Sequence, residues 1–507
     1  MRLRKVGESF LQNGASENRF LNKEVGCKSP SDELGRFCPT VREAPMKTLD
    51  SGLLQIRDVF LGILVGLAVS FSLCSEKISA DEQRFLNSDF STYEIDLHVD
   101  GKIQFAAEPD LHTRTVGMTD QSVHATSALM YHQYSVDHNS AQKGEFVRRY
   151  QRASAKTVIG GNSVDTKLSK DVCDVHVCSK GMSLDFWVSE GFLTQPETNL
   201  LTVAFDPLHF DALIPPGDQL PGTRWEMSQA CVTKLLCIDK VYTGVLAATV
   251  QESSVEGTVV HIKGAFEGAI NGARTSIAVE GDYDWIQGSH SDGHVSALRV
   301  VIQESRAVSY VAPGMNVTAV VEVSCLSEKR LRPKVMSIGV RTARPDSSRP
   351  RRGPGKPGFR WICDPHGRYD IVYDKNWKII EQGSECLTMR LVDEGALVSQ
   401  VAVTPLPPRA EVHTLSDFQK DIEKTLGSQF GHLVSASLSS RDDGTTLMRV
   451  ASVGEAEGLV FHWIHYHVRG PRGQRLSLSF VVESTCFKEF SDADRQYLDG
   501  VNLTFKE

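Results

Sequence analysis

Five stretches, 244–251, 258–270, 274–285, 294–304 and 316–325, read as successive β-strands, and they constrain the architecture more than any other feature of the chain. In the second, Val259, His261, Lys263, Ala265 and Glu267 alternate with Val260, Ile262, Gly264 and Phe266. A repeat of two belongs to a strand with one apolar and one wetter face. Asn271-Gly272 joins two of the stretches, and these residue types suit the positive φ angles of a two-residue hairpin. A long antiparallel meander with one dry face must cover that face with a helix, a second sheet or an apolar ligand.

More strands precede the meander. Segments 93–99 and 102–105 flank Asp100-Gly101, which reads as a tight turn, and extended segments follow at 127–136, 144–158 and 183–189. The proline-rich stretch 205–224 reads as a loop. Ser228 is placed to cap a short helix carrying Val232, Leu235 and Leu236.

Near the N-terminus, Val59 to Cys74 is an uncharged apolar run of sixteen residues. A membrane span needs about 20 such residues, so the run suits the core of a secretory signal, with small residues at Ser79-Ala80 for cleavage. The 58 residues before it are long for a signal. Translation from Met46 would give a leader of ordinary proportions, leaving 1–45 a mis-assigned start and 1–58 a disordered extension. The competing expectation is a single membrane anchor over 54–74. Either way, the remainder is expected outside the cytoplasm, periplasmic or anchored facing outward.

At 507 residues the chain exceeds one hydrophobic core, so two or three domains are expected. A net charge of −8 argues against a general nucleic-acid binder. Eight cysteines follow the apolar run, and an exported chain can pair them. Cys173, Cys178, Cys231 and Cys237 are the disulfide candidates, because short loops close at little entropic cost. Their connectivity stays open.

Residues 341–360, RTARPDSSRPRRGPGKPGFR, form a linker stiffened by proline. It separates a β-rich domain over 92–330 from a second domain over 361–507. In the second, 369–373, 385–392 and 397–405 read as strands. Thr414 caps a helix with Asp417 as its capping-box partner, and Leu415, Phe418, Ile422 and Leu426 make the buried stripe. Strands follow at 432–440, 445–452, 458–468 and 474–484, then a last helix near 487–498.

This order of elements resembles the Mog/PsbP-like family. The resemblance rests on the opening strand Tyr369-Asp370-Ile371-Val372-Tyr373, the following Asn376-Trp377, the helix from Thr414 to Leu426, the two long strands after Gly458, and Phe490 beyond them. It implies an antiparallel sheet sandwiched by helices and a binding or assembly role. It carries no catalytic residue onto this chain. The expected fold class is therefore α+β: a β-rich antiparallel meander followed by an α/β/α sandwich.

Phe461-His462-Trp463-Ile464-His465-Tyr466-His467 is the most chemically suggestive cluster. On a strand, His465 and His467 share a face, close enough to share a metal, although packing histidines account for the pattern without one. Cys173-Asp174-Val175-His176-Val177-Cys178 suits a local disulfide or free thiols better than zinc. Asp206 and Asp211 bracket His209 with no nucleophile beside them. The functional expectation is a non-catalytic binding or assembly protein of a bacterial envelope, with no cofactor and with a protein or lipid partner. The alternatives are a lipid or apolar-ligand carrier using the meander at 244–325, and a metal-dependent enzyme using the 462–467 histidines.

Overall fold

The structure, a computed structural model, describes residues 90–504 apart from 110–115, 136–143, 173, 181–182, 218–219, 288–292, 327–353, 394 and 408–412. The apolar run at 59–74, the N-terminal extension and most of the arginine-proline stretch lie outside the described residues. The chain divides into two compact units, one ending at Arg360 and the next beginning at Trp361.

The first unit is built on one antiparallel sheet of twelve strands. In chain order these are β1 (Ser91–Pro109), β2 (Val116–Ser135), β3 (Glu145–Ile159), β4 (Asn162–Lys167), β5 (Asp174–Lys180), β6 (Ser183–Trp187), β7 (Arg224–Met227), β8 (Lys240–Ser253), β9 (Thr258–Ile270), β10 (Ala273–Ile286), β11 (His294–Arg306) and β12 (Gly314–Leu326). The spatial order is β6-β5-β3-β2-β1-β12-β11-β10-β9-β8-β7, with β4 paired to β3. The meander β8 to β12 forms one half. The early strands form the other, and β1 zips the halves together by pairing antiparallel with β12 from Thr92↔Leu326 to Gln104↔Gly314.

The hairpin at Asn271-Gly272 forms, with φ of 49° and 73°. Asp100-Gly101 does not turn. β1 runs straight through it, with Gly101 opposite Val317 on one side and Val123 on the other. The glycine serves a close approach instead, since a Cβ there would lie 2.3 Å from the Asn316 carbonyl oxygen.

Between β6 and β7 the chain leaves the sheet and crosses its apolar face. This segment holds helix α1 (Gln195–Leu201), a 3-10 turn at Pro207–Leu213 within the expected loop, and, after β7, helix α2 (Gln229–Leu236). Ser228 caps α2 by accepting from the Cys231 amide, and Val232, Leu235 and Leu236 are buried. The core is thus a layer of strand side chains (Ile95, Leu129, Leu246, Ile262, Val279, Val300, Val321) against Leu200, Phe205, Leu213, Val232 and Leu235. Each such side chain contributes about 1.5–3 kcal/mol on leaving water. The opposite face carries exposed cross-strand ion pairs, among them Lys263–Glu280 and Arg299–Glu322, each at 2.8 Å.

The second unit has a seven-stranded antiparallel sheet and a three-stranded one. The small sheet is β13 (Phe359–Cys363), β14 (Tyr369–Asp374) and β22 (Val501–Leu503). The large one contains β15 (Trp377–Gln382), β16 (Leu387–Asp393), β17 (Ala396–Leu406), β18 (Phe430–Ser440), β19 (Thr446–Ala456), β20 (Leu459–Arg469) and β21 (Arg475–Glu483), in the order β15-β16-β17-β21-β20-β19-β18. Helix α3 (Leu415–Leu426) has the capping box at Thr414 and Asp417, and Phe418, Ile422 and Leu426 pack with Met448, Val450, Phe461 and Trp463.

The expected α/β/α sandwich is corrected by this arrangement. The face opposite α3 holds Ile464, Tyr466, Leu478 and Phe480, and Tyr369, Ile371 and Tyr373 of the small sheet share that core. Helices α4 (Phe487–Phe490) and α5 (Ala493–Asp499) are only four and seven residues long and add Phe490, Tyr497 and Leu498. Two sheet layers and few helices make the protein mainly antiparallel β.

Candidate functional site

On β20, the odd-numbered residues Phe461, Trp463, His465 and His467 share one strand face. His465 Nδ1 shares a 2.9 Å hydrogen bond with the Ser479 hydroxyl, and His467 Nε2 accepts from Arg475 Nε at 3.1 Å. The His467 ring packs against Phe418 of α3 and against His413. Burial lowers the His465 pKa to about 4. Burial, with Arg475 next in importance, lowers that of His467 to about 3. Both are neutral near pH 7. Among the described residues no group of three or more His, Cys, Asp or Glu side chains could hold a metal ion, so the pair gains no further ligand. His462 faces the other way and stacks on Phe487 at 3.8 Å.

The cysteine candidates separate. Cys173 lies outside the described residues, and Cys178 sits on β5 opposite Asp185 and Glu145. Cys231 and Cys237 are unbonded thiols. They stand at opposite ends of α2, and six residues of helix span about 9 Å, beyond the reach of a disulfide. The Cys231 sulfur accepts from the Ser228 hydroxyl, while Cys237 donates to the Val203 carbonyl oxygen at 3.3 Å. Burial pushes the Cys237 thiol up to about 12.

The most unusual chemistry lies where the covering segment meets the first sheet. Arg148 projects from β3 into the core, and Asp206 begins the 3-10 turn, accepting from the Leu208 amide at 2.9 Å. The guanidinium and carboxylate form a two-point pair of 2.8 and 2.5 Å with neither side chain reaching solvent. Arg148 Nε donates to Gln133 on β2 at 2.8 Å. The guanidinium lies 4.5 Å from the centre of the Tyr131 ring, which packs against Tyr93 and Tyr150. Burial works against the Arg148 charge, and the Asp206 carboxylate outweighs it, holding the arginine well above its usual range. Burial raises Tyr131 well above 10 and Tyr150 to about 12. The buried Tyr131 hydroxyl has no hydrogen-bond partner among the described residues.

A second polar tie holds the same segment. The Tyr283 hydroxyl, from β10, donates to the Leu213 carbonyl oxygen at 2.5 Å. Between these ties the contact is mostly apolar, and His209 of the 3-10 turn shares a 3.3 Å hydrogen bond with the Ser179 hydroxyl of β5. The arrangement is a cover over an apolar sheet, held by these polar contacts. Sequence reasoning singled out Asp206 and His209 but not Arg148. The available signal was an arginine on an inward-facing position of β3, directly across from Gln133 on β2.

No family model matches the chain, and no curated protein matches it in sequence. Among solved structures, it is similar to cyanobacterial PsbP (CyanoP) from Synechocystis at 12% identity, over 29% of this chain and 92% of that one, with a TM-score of 0.24. A Bacteroides thetaiotaomicron protein matches at 11% identity over 29% of this chain and 48% of its own, TM-score 0.22. Lipovitellin matches at 9% identity over 47% of this chain and 25% of its own, TM-score 0.28. The chain thus spans about half of the Bacteroides protein and a quarter of lipovitellin.

Proposed function

We propose that this is an exported, non-catalytic binding protein whose first unit carries an apolar ligand such as a lipid chain. The reading is carried by one observation: the apolar face of the twelve-stranded sheet is covered by an internal segment of the same chain, fastened through Arg148–Asp206 and Tyr283–Leu213. Such a cover can be exchanged for a ligand of similar apolar area. A lipid chain replaces the contacts of Phe205, Phe210 and Leu213, and the loss of their burial is offset by its own. The ligand-free state then has a filled core, and the loaded state a displaced segment. Export follows from the apolar run at 59–74.

The test is direct. Full-length protein is purified gently from its own cells, extracted with organic solvent and weighed by mass spectrometry. A near-stoichiometric lipid, and saturable binding of an apolar fluorescent probe to the stripped protein, are expected. Protein that is consistently empty and shows no saturable uptake defeats the proposal.

A further inference from the structure

The first sheet ends on short strands, β6 of five residues and β7 of four. The seven-stranded sheet ends at one side on β15, six residues long with its register broken between Ile379 and Glu381. Its other end is different. β18 is eleven residues long, and among the described residues it pairs only with β19. Every residue from Ser435 to Ser440 is exposed, so this stretch stands clear of cover on both faces. Its sequence, FGHLVSASLSS, has no lysine, arginine, aspartate, glutamate or proline. Charge and proline are the usual means of keeping an edge from pairing. The two irregularities lie before Ser435, and 435–440 pairs evenly with 446–451.

We propose that β18 is a docking edge for a second copy of this chain, paired antiparallel with its own counterpart about a twofold axis. The alternation of side chains selects this occupant. Ala436 and Leu438 lie opposite Val450 and Met448, on the α3 face, while Ser435, Ser437 and Ser439 lie on the other. Residues directly opposite in an antiparallel pair share a face. An axis at Ser437 sets Ala436 against Leu438 of the second copy and Ser435 against Ser439. Apolar then meets apolar and serine meets serine, and no like charges are opposed. Leu438, 60% exposed in the single copy, gains cover. Because the interface is the same patch on both copies, it closes at two. One strand pair is a small interface, so the dimer is weak and depends on concentration.

The experiment is sedimentation of the full-length chain over about a hundredfold range of concentration, with amide hydrogen exchange read at 435–440. A monomer–dimer equilibrium is expected, with slower exchange at 435–440 as dimer accumulates. Leu438→Lys places a charge on the edge and should weaken association at least about tenfold. The thermal unfolding of that variant should match the parent, because Leu438 is exposed in the monomer. A second variant, Ser439→Lys, opposite Leu447 rather than Arg449, charges the other face of the same edge and should have the same effect. A monomer at every concentration overturns the proposal. So does a dimer that both variants leave intact with exchange at 435–440 unchanged, and so does open-ended polymerisation, which a twofold pair forbids.

Discussion

Arg148 and Asp206 stand 58 positions apart in the chain and meet through two hydrogen bonds in the dry interior of the first unit. The attraction between them must offset the desolvation of both charges, which two further hydrogen bonds make feasible: Gln133 on the arginine, and the Leu208 amide on the aspartate. The pair also decides where the covering segment lies on the sheet, because one partner belongs to each.

Removing one partner leaves the other buried and unpaired. Asp206→Ala should therefore cost about 3–5 kcal/mol, measured as a loss of stability in urea followed through the first unit. Replacing both, Arg148→Met with Asp206→Leu, should cost much less, since no uncompensated charge remains. Equal losses in the single and double variants would show that the pair is not coupled as its geometry implies.

The second tie is weaker. Tyr283→Phe removes the hydroxyl and leaves the Leu213 carbonyl without its donor, at a cost of about 1–3 kcal/mol. If the segment moves as a cover, amide exchange around 207–214 should quicken while strands β9 and β10 stay protected. An apolar probe should also enter the variant faster than the parent. Uniform loss of protection across the unit would mean that the segment is simply part of the core.

What the sequence disclosed follows from how local each signal is. Asn271-Gly272 was legible because the turn depends only on two residues that tolerate positive φ, and Thr414 with Asp417 because a capping box is satisfied within one turn. Asp100-Gly101 misleads for the opposite reason. Its glycine answers to the backbone at Asn316, which only the folded sheet brings near. The small sheet that shares the core opposite α3 is not legible in the sequence, because its strands come from 359–374 and 501–503, which no local pattern connects. Asp206 stands out in the sequence only beside His209 and Asp211, and Arg148 reads as an ordinary polar residue until the fold buries the two together.

The turn gives a sharp local prediction. Gly272 has φ of 73°, where a side chain is strained, so Gly272→Ala should destabilise the first unit by about 1 kcal/mol or somewhat more. Asn271→Gly at the preceding position, φ 49°, should be nearly neutral. Thermal unfolding of both variants checks the ordering, and a more stable Gly272→Ala would contradict the turn geometry.

The histidines on β20 predict how the second unit responds to acid. Their folded pKa values are lowered, to about 4 for His465 and about 3 for His467, against about 6.5 for an unfolded histidine. Above pH 6.5 both states are neutral and the histidines add no pH dependence. Below it the unfolded chain takes up protons that the folded one refuses, so stability falls with pH until the folded pKa values are reached. His467→Gln should flatten that fall in part, and His465→Gln together with His467→Gln should flatten it further. The slope of stability against pH between about 6.5 and 4 is the measurement. Histidines that were charged in the folded state, held by a carboxylate, would give the opposite sign, with stability lost as pH rises.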